Sequence, residues 1–174
     1  SAAGDNRARR VVMEFYRISG NRLGLREIPP LLAGLMRQIP VPVGEDAKAV
    51  EDRLFPKPSR DPGEGGLCED WKAHVEPELH SFFLSARQVV EADLRGINEE
   101  EGGFALDFPA GHAESWLNAL NQARIALAAQ HSLDEADLAR PAPTVILNER
   151  ELARFQIHFY AALQQWLVEI VDFA

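Results

Sequence analysis

The chain has 174 residues, 46% of them hydrophobic and 26% charged, the proportions of an ordinary globular domain and not of a disordered, collagenous or coiled-coil chain. Eighteen Lys and Arg against twenty-seven Asp and Glu leave a net charge of −9, which argues against nucleic acid or an anionic membrane surface as partner. No apolar run approaches the ~18 residues of a membrane span, the stretch from Arg7 to Phe15 lacks signal-peptide character, and the single cysteine, Cys68, excludes an intramolecular disulfide.

These features predict one cytoplasmic domain over residues 7–174, with residues 1–6 set aside as a tag remnant or truncated end. In chain order, Gly20-Asn21 between two apolar stretches predicts a β-hairpin over residues 11–28. Pro30 suits the first position of a short helix, Leu31 to Ile39, with Leu32, Leu35, Met36 and Ile39 on one stripe. Residues 40–66, dense in Pro and Gly, read as a long connection holding a turn or two of helix between Glu45 and Phe55. Arg53, Leu54, Phe55 and Pro56 are candidates to anchor it on the body.

From Leu67 the pattern is helical and forms the core over residues 67–174. Pro77 either kinks one long helix or, with less strain, opens a new one after a short helix at 67–74. Leu79, Phe82, Phe83, Ala86, Val89, Val90 and Leu94 share a face of the helix ending at Gly96. An acidic turn follows, with an extended run, Phe104 to Phe108, suited to pair with the hairpin. Next come a helix from His112 to His131 with Trp116, Leu120, Ala123 and Leu127 on one face, and an acidic, proline-containing loop at 132–143. Asn148 caps the last helix, with Glu151 three residues on. Its stripe runs through Leu152, Phe155, Phe159, Leu163, Trp166, Leu167 and Ile170. Amphipathic helices of this kind pack as a bundle, so the expected fold is mainly α: three to four main helices in a bundle with a small N-terminal hairpin.

Charge is uneven along the chain. Residues 1–60 hold eleven basic and seven acidic side chains, +4; the remainder holds seven and twenty, −13. The acidic part is either a solvated surface or a face for a basic partner.

Chemistry-bearing patterns are sparse. His74, His80, His112, His131 and His158 form neither a His-x-x-x-His pair around a glutamate nor a Glu-x-x-His pair, so no metal is expected. No nucleophile elbow occurs, Cys68 lies beside Glu69 and Asp70, which disfavour a thiolate, and the glycines at 63–66 lack the Lys-Ser/Thr of a phosphate loop. No catalytic residue or cofactor is assigned. One placement breaks the helical pattern: Arg124 projects among Leu117, Leu120 and Leu127, with His131 in the same sector, and a cation there needs an acceptor. Asp93, in the sector of Phe82 and Ala86, is the most economical partner, with Glu169 and Asp172 as alternatives. The choice lies between a structural ion pair and a ligand-binding arginine. Trp116 and Trp166 read as core, whereas Trp71, in an acidic and weakly amphipathic segment, reads as a surface aromatic and interface candidate.

The order of Arg53-Leu54-Phe55-Pro56, the long helix ending near Arg95, and the run Trp116-Leu117-Asn118-Ala119-Leu120-Asn121-Gln122-Ala123-Arg124-Ile125-Ala126-Leu127 resembles the DUF2017 family, bacterial proteins of unknown function. The resemblance spans about residues 12–171. It departs from the pattern at Ala128, where glycine is frequent, and in a longer loop at 137–144. It implies a mainly helical cytoplasmic protein with Trp116, Asn121 and Arg124 as signature positions. It also implies a role near Clp-type proteolysis, because such genes often lie beside that of the adaptor feeding the Clp protease. The expected function is a non-enzymatic interaction or regulatory module acting on a protein partner or a second copy of the chain. The alternative is a small-molecule anion-binding protein or hydrolase with its site at Arg124, Asn121 and His131.

Overall fold

The computed structural model describes residues 13–40, 53–55, 58 and 60–172; the helical turn expected from residue 45 lies outside these except for Arg53, Leu54 and Phe55. The hairpin is present as β1 (Glu14–Ile18) and β2 (Arg22–Ile28). Its turn is made by Gly20 and Asn21, both at positive φ (87° and 60°), the conformation these two residue types tolerate best.

The sheet is larger than the sequence reading allows. A second hairpin, β3 (Asn98–Glu100) and β4 (Gly103–Pro109), turns at Gly102 (φ 102°), and β4 pairs antiparallel with β2, giving the order β1-β2-β4-β3. The expected pairing of Phe104–Phe108 with the hairpin is therefore present, but the architecture is a four-stranded antiparallel sheet covered by helices, not a bundle with an appended hairpin. The physical reason lies in the register. Leu23 faces Phe108 and Leu25 faces Leu106, so the inward side chains of two central strands build one apolar face, which helices must cover. The outer face is polar: Arg22 Nε donates to Asp107 Oδ1 at 3.0 Å, and Arg26 lies over the Tyr16 ring, 5.0 Å from its centroid.

The helices are α1 (Pro30–Met36), α2 (Gly65–Asp70), α3 (Glu76–Leu94), α4 (Ala113–Gln130), α5 (Glu135–Ala139) and α6 (Glu149–Asp172). Pro77 sits at the start of α3, as expected of a proline opening a new helix after a short one, but the two helices are not separated. A π turn over Trp71–Val75 joins α2 to α3, with the Glu76 N–H reaching back to the Trp71 carbonyl, so the helical path runs on through the proline. A π turn is one way to absorb a residue that blocks the ordinary backbone ladder. The loop expected at 132–143 contains α5, because Asp134 and Asp137 form a reciprocal capping box.

Trp116 is 2% exposed and stacks on Phe108 at 4.7 Å, which places α4 on the sheet. Of the expected stripe on α6, Phe159, Leu163 and Leu167 are buried and Leu152, Phe155, Trp166 and Ile170 only partly so, while Gln156 and Tyr160 are buried beside it, so the buried face is shifted. The shift follows from Tyr160, whose hydroxyl donates to the Leu35 carbonyl at 2.6 Å and accepts from Gln156 Nε2 at 2.6 Å, tying α6 to the end of α1. Ala128, Leu133, Ala153 and Ile157 form a second, smaller apolar cluster where α4, α5 and α6 meet. No helix among the described residues is long and apolar enough to cross a membrane.

Candidate functional site

Ala128 and Ile157 of the small cluster line a cavity of about 310 Å³. Arg124 and Asn121, one turn apart on α4, both line it, as the helical spacing requires. Arg53 adds a second guanidinium, and Ile125, Leu138 and Ile157 supply aliphatic wall. Two polar elements hold this wall in place. The capping box seats α5, and the buried Arg154 donates from Nε to the Asp137 carbonyl at 3.1 Å and from Nη2 to the Pro141 carbonyl at 2.9 Å.

Arg124 is not ion-paired to any carboxylate among the described residues. Its Nη1 donates to Gln164 Oε1 at 2.6 Å, and Gln164 is itself oriented by donating from Nε2 to the Leu117 carbonyl at 3.1 Å. Arg124 Nε is buried and meets no acceptor among the described residues. Burial holds the guanidinium below its usual pKa, though an arginine remains charged at neutral pH.

Asp93 therefore is not the partner of Arg124. Its carboxylate, 9% exposed, accepts from Trp116 Nε1 at 2.9 Å and lies 3.0 Å from His112 Nδ1. Projection on a helical wheel gives the face of a residue but not its height. Arg124 stands eight residues beyond Trp116, about 12 Å along the axis, and Asp93 at the end of α3 meets the start of α4 instead. His131 is half-buried at the C-terminal end of α4 and does not line the cavity.

Trp71, expected as a surface aromatic, is only partly exposed. It is half-buried in the π turn, with its indole Nε1 buried and without an acceptor among the described residues. The anchoring expected of the Arg53-Leu54-Phe55 segment is present: the Phe55 ring stacks on His80 at 3.8 Å and meets Phe83 at 5.4 Å. That docking accompanies the placement of Arg53 at the cavity. Sequence reasoning singled out this segment but not its arginine as a site residue, and it missed Gln164, whose place on α6 only tertiary packing brings opposite Arg124.

A second surface stands out beside α6. Val145, Ile146 and Leu147 are consecutive and exposed, Leu147 at 79%. Val145 and Leu147 line a cavity of about 360 Å³ with Arg140, Pro143, Glu151 and Arg154. Asn148 Oδ1 accepts from the Glu151 N–H at 2.9 Å, as the cap spacing requires, while Glu151 Oε2 accepts from the Leu147 N–H at 2.7 Å, one residue ahead of the expected return bond.

Comparison with curated proteins and with solved structures finds no match. The family described as a domain of unknown function (DUF2017) matches residues 20–171. That span includes β2, the second hairpin, the Arg53 segment and the whole of α4, and on it the chain belongs to the DUF2017 family.

Proposed function

We propose that the protein is a non-enzymatic interaction module, working in the cytoplasm and linked to Clp-type proteolysis. The exposed run Val145-Ile146-Leu147 carries this reading. Contiguous aliphatic side chains held in solvent lose free energy at about 25 cal/mol per Å² of apolar surface until something covers them. The run is held at its C-terminal end by the bond from the Leu147 N–H to Glu151, so a partner would order little of it on binding. The −13 carried by residues 61–174 supports a partner with a basic rim. The Clp link is supported by what the family resemblance implies.

The test is a reconstituted Clp degradation assay with a purified adaptor and a fluorescent reporter substrate. Added wild-type protein is expected to change the degradation rate in proportion to its concentration, and a Val145→Ser, Leu147→Ser variant to lose the effect while keeping its thermal stability. A rate unchanged at every concentration, together with a monomeric mass and no captured partner from native lysate, would overturn the reading.

A further inference from the structure

We infer that the cavity between α4, α5 and the Arg53 segment is a binding site for a small aliphatic carboxylate. Among the described residues its polar groups are all donors to an anion or neutral: the guanidinia of Arg53 and Arg124 and the carboxamide of Asn121, with no acidic side chain in the described lining. The chain carries nine more acidic than basic side chains, yet among the described residues Arg124 is met by the neutral Gln164. Among the described residues, Asp137 adjoins the wall next to Leu138 and is already engaged by Arg150 and by the cap of α5.

A guanidinium with five donors in a fixed fork recognises a planar carboxylate through paired bonds, stronger than those to a neutral acceptor. Arg124 uses Nη1 on Gln164, and as a lining residue it brings the further donors of its fork to the cavity. Ile125, Leu138 and Ile157 specify the rest of the ligand as hydrocarbon. The volume of about 310 Å³ is at the small end of ligand pockets, which run from about 300 to 1,000 Å³, so the hydrocarbon is short. A free acid and the terminal carboxylate of a chain ending in an aliphatic residue share this chemistry.

The test is calorimetric titration of the full chain with 4-methylpentanoate, N-acetyl-leucine, 4-methylpentanamide and inorganic phosphate. At least one of the two carboxylates is expected to bind saturably, and the amide, equal in shape but uncharged, not to bind. Preference for the free acid or for N-acetyl-leucine tells which source of carboxylate the site takes. Arg124→Met and Arg53→Gln are each expected to weaken binding roughly ten- to a hundredfold, the loss of one charge-assisted interaction. Arg53 is exposed, so its variant keeps the fold and the test stands if Arg124→Met does not. Binding of the amide as tight as the acid, binding of phosphate alone, no saturable binding, or full affinity in Arg53→Gln would each overturn the proposal.

Discussion

The indole N–H of Trp116 donates to the carboxylate of Asp93 at 2.9 Å, and the same carboxylate lies 3.0 Å from His112 Nδ1. One nearly buried acceptor thus joins the end of α3 to the beginning of α4. Asp93→Ala leaves the indole N–H buried without an acceptor and is expected to destabilise by about 1–3 kcal/mol. Trp116→Phe removes the donor instead, and the two substitutions together should cost less than the sum of each alone. Urea denaturation of the two single variants and the double variant measures the coupling; strict additivity would show that the bond does not contribute.

Tyr160 yields a prediction at high pH. Burial pushes its hydroxyl from 10.0 to about 12, so the unfolded chain releases this proton first. Stability contributed by the neutral phenol is complete below pH 10.0 and lost as pH rises towards about 12, with a slope of about 1.4 kcal/mol per pH unit at most. Tyr160→Phe removes that slope. It also leaves the Leu35 carbonyl without this donor, at a cost of about 1–3 kcal/mol at neutral pH. Chemical denaturation across the alkaline range, wild type against variant, should therefore show the two stabilities converging as pH rises.

At low pH the corresponding group is Asp137. The backbone N–H of Asp134, then the hydrogen bond from Arg150, hold its carboxyl below the usual 3.8. Its contribution is present above 3.8 and disappears as pH falls through the lower folded-state value. Thermal melts of wild type and Asp137→Asn should differ at neutral pH and coincide in strong acid. Asp134→Ala removes the other half of the capping box and should cost about 1 kcal/mol.

Gly24 faces Tyr16 across β1 and β2, and a Cβ at position 24 would stand 2.8 Å from the Tyr16 ring. Gly24→Ala is expected to destabilise by about 1–3 kcal/mol through overpacking. In a Tyr16→Ala background the same substitution should cost less, the remaining close contact being the flexible end of Ile18, whose Cδ1 lies 3.0 Å from that Cβ. Equal costs in both backgrounds, measured by thermal unfolding, would contradict the close approach as the cause.

Local signals in the sequence carry as far as local physics does. Gly20-Asn21 specifies the first turn, the spacing of Trp116 and Leu120 specifies α4, and Asn148 with Glu151 marks the start of α6. Asn121 and Arg124 share the cavity because both lie on one helix. What lies beyond reach is decided by tertiary packing. The contribution of Arg53 depends on Phe55 docking against α3, some 25 residues away, and the partner of Asp93 depends on how far along its axis α4 meets α3. The four-stranded sheet depends on β2 and β4 finding each other across more than 70 residues. The capping box of α5 was readable in principle, since Asp134 and Asp137 have the right spacing, but the prolines that follow at 141 and 143 concealed a helix of only five residues.

The strand order leaves β3 at one border of the sheet, three residues long and reading Asn98-Glu99-Glu100, all exposed. A border strand offers unpaired backbone groups to any other extended chain, and short, charged strands are a common defence. Here two adjacent glutamates would be brought against the same pair on a neighbouring molecule in any edge-to-edge stacking of like sheets. On this side the sheet is protected against growing into a fibril by the repulsion of its own carboxylates.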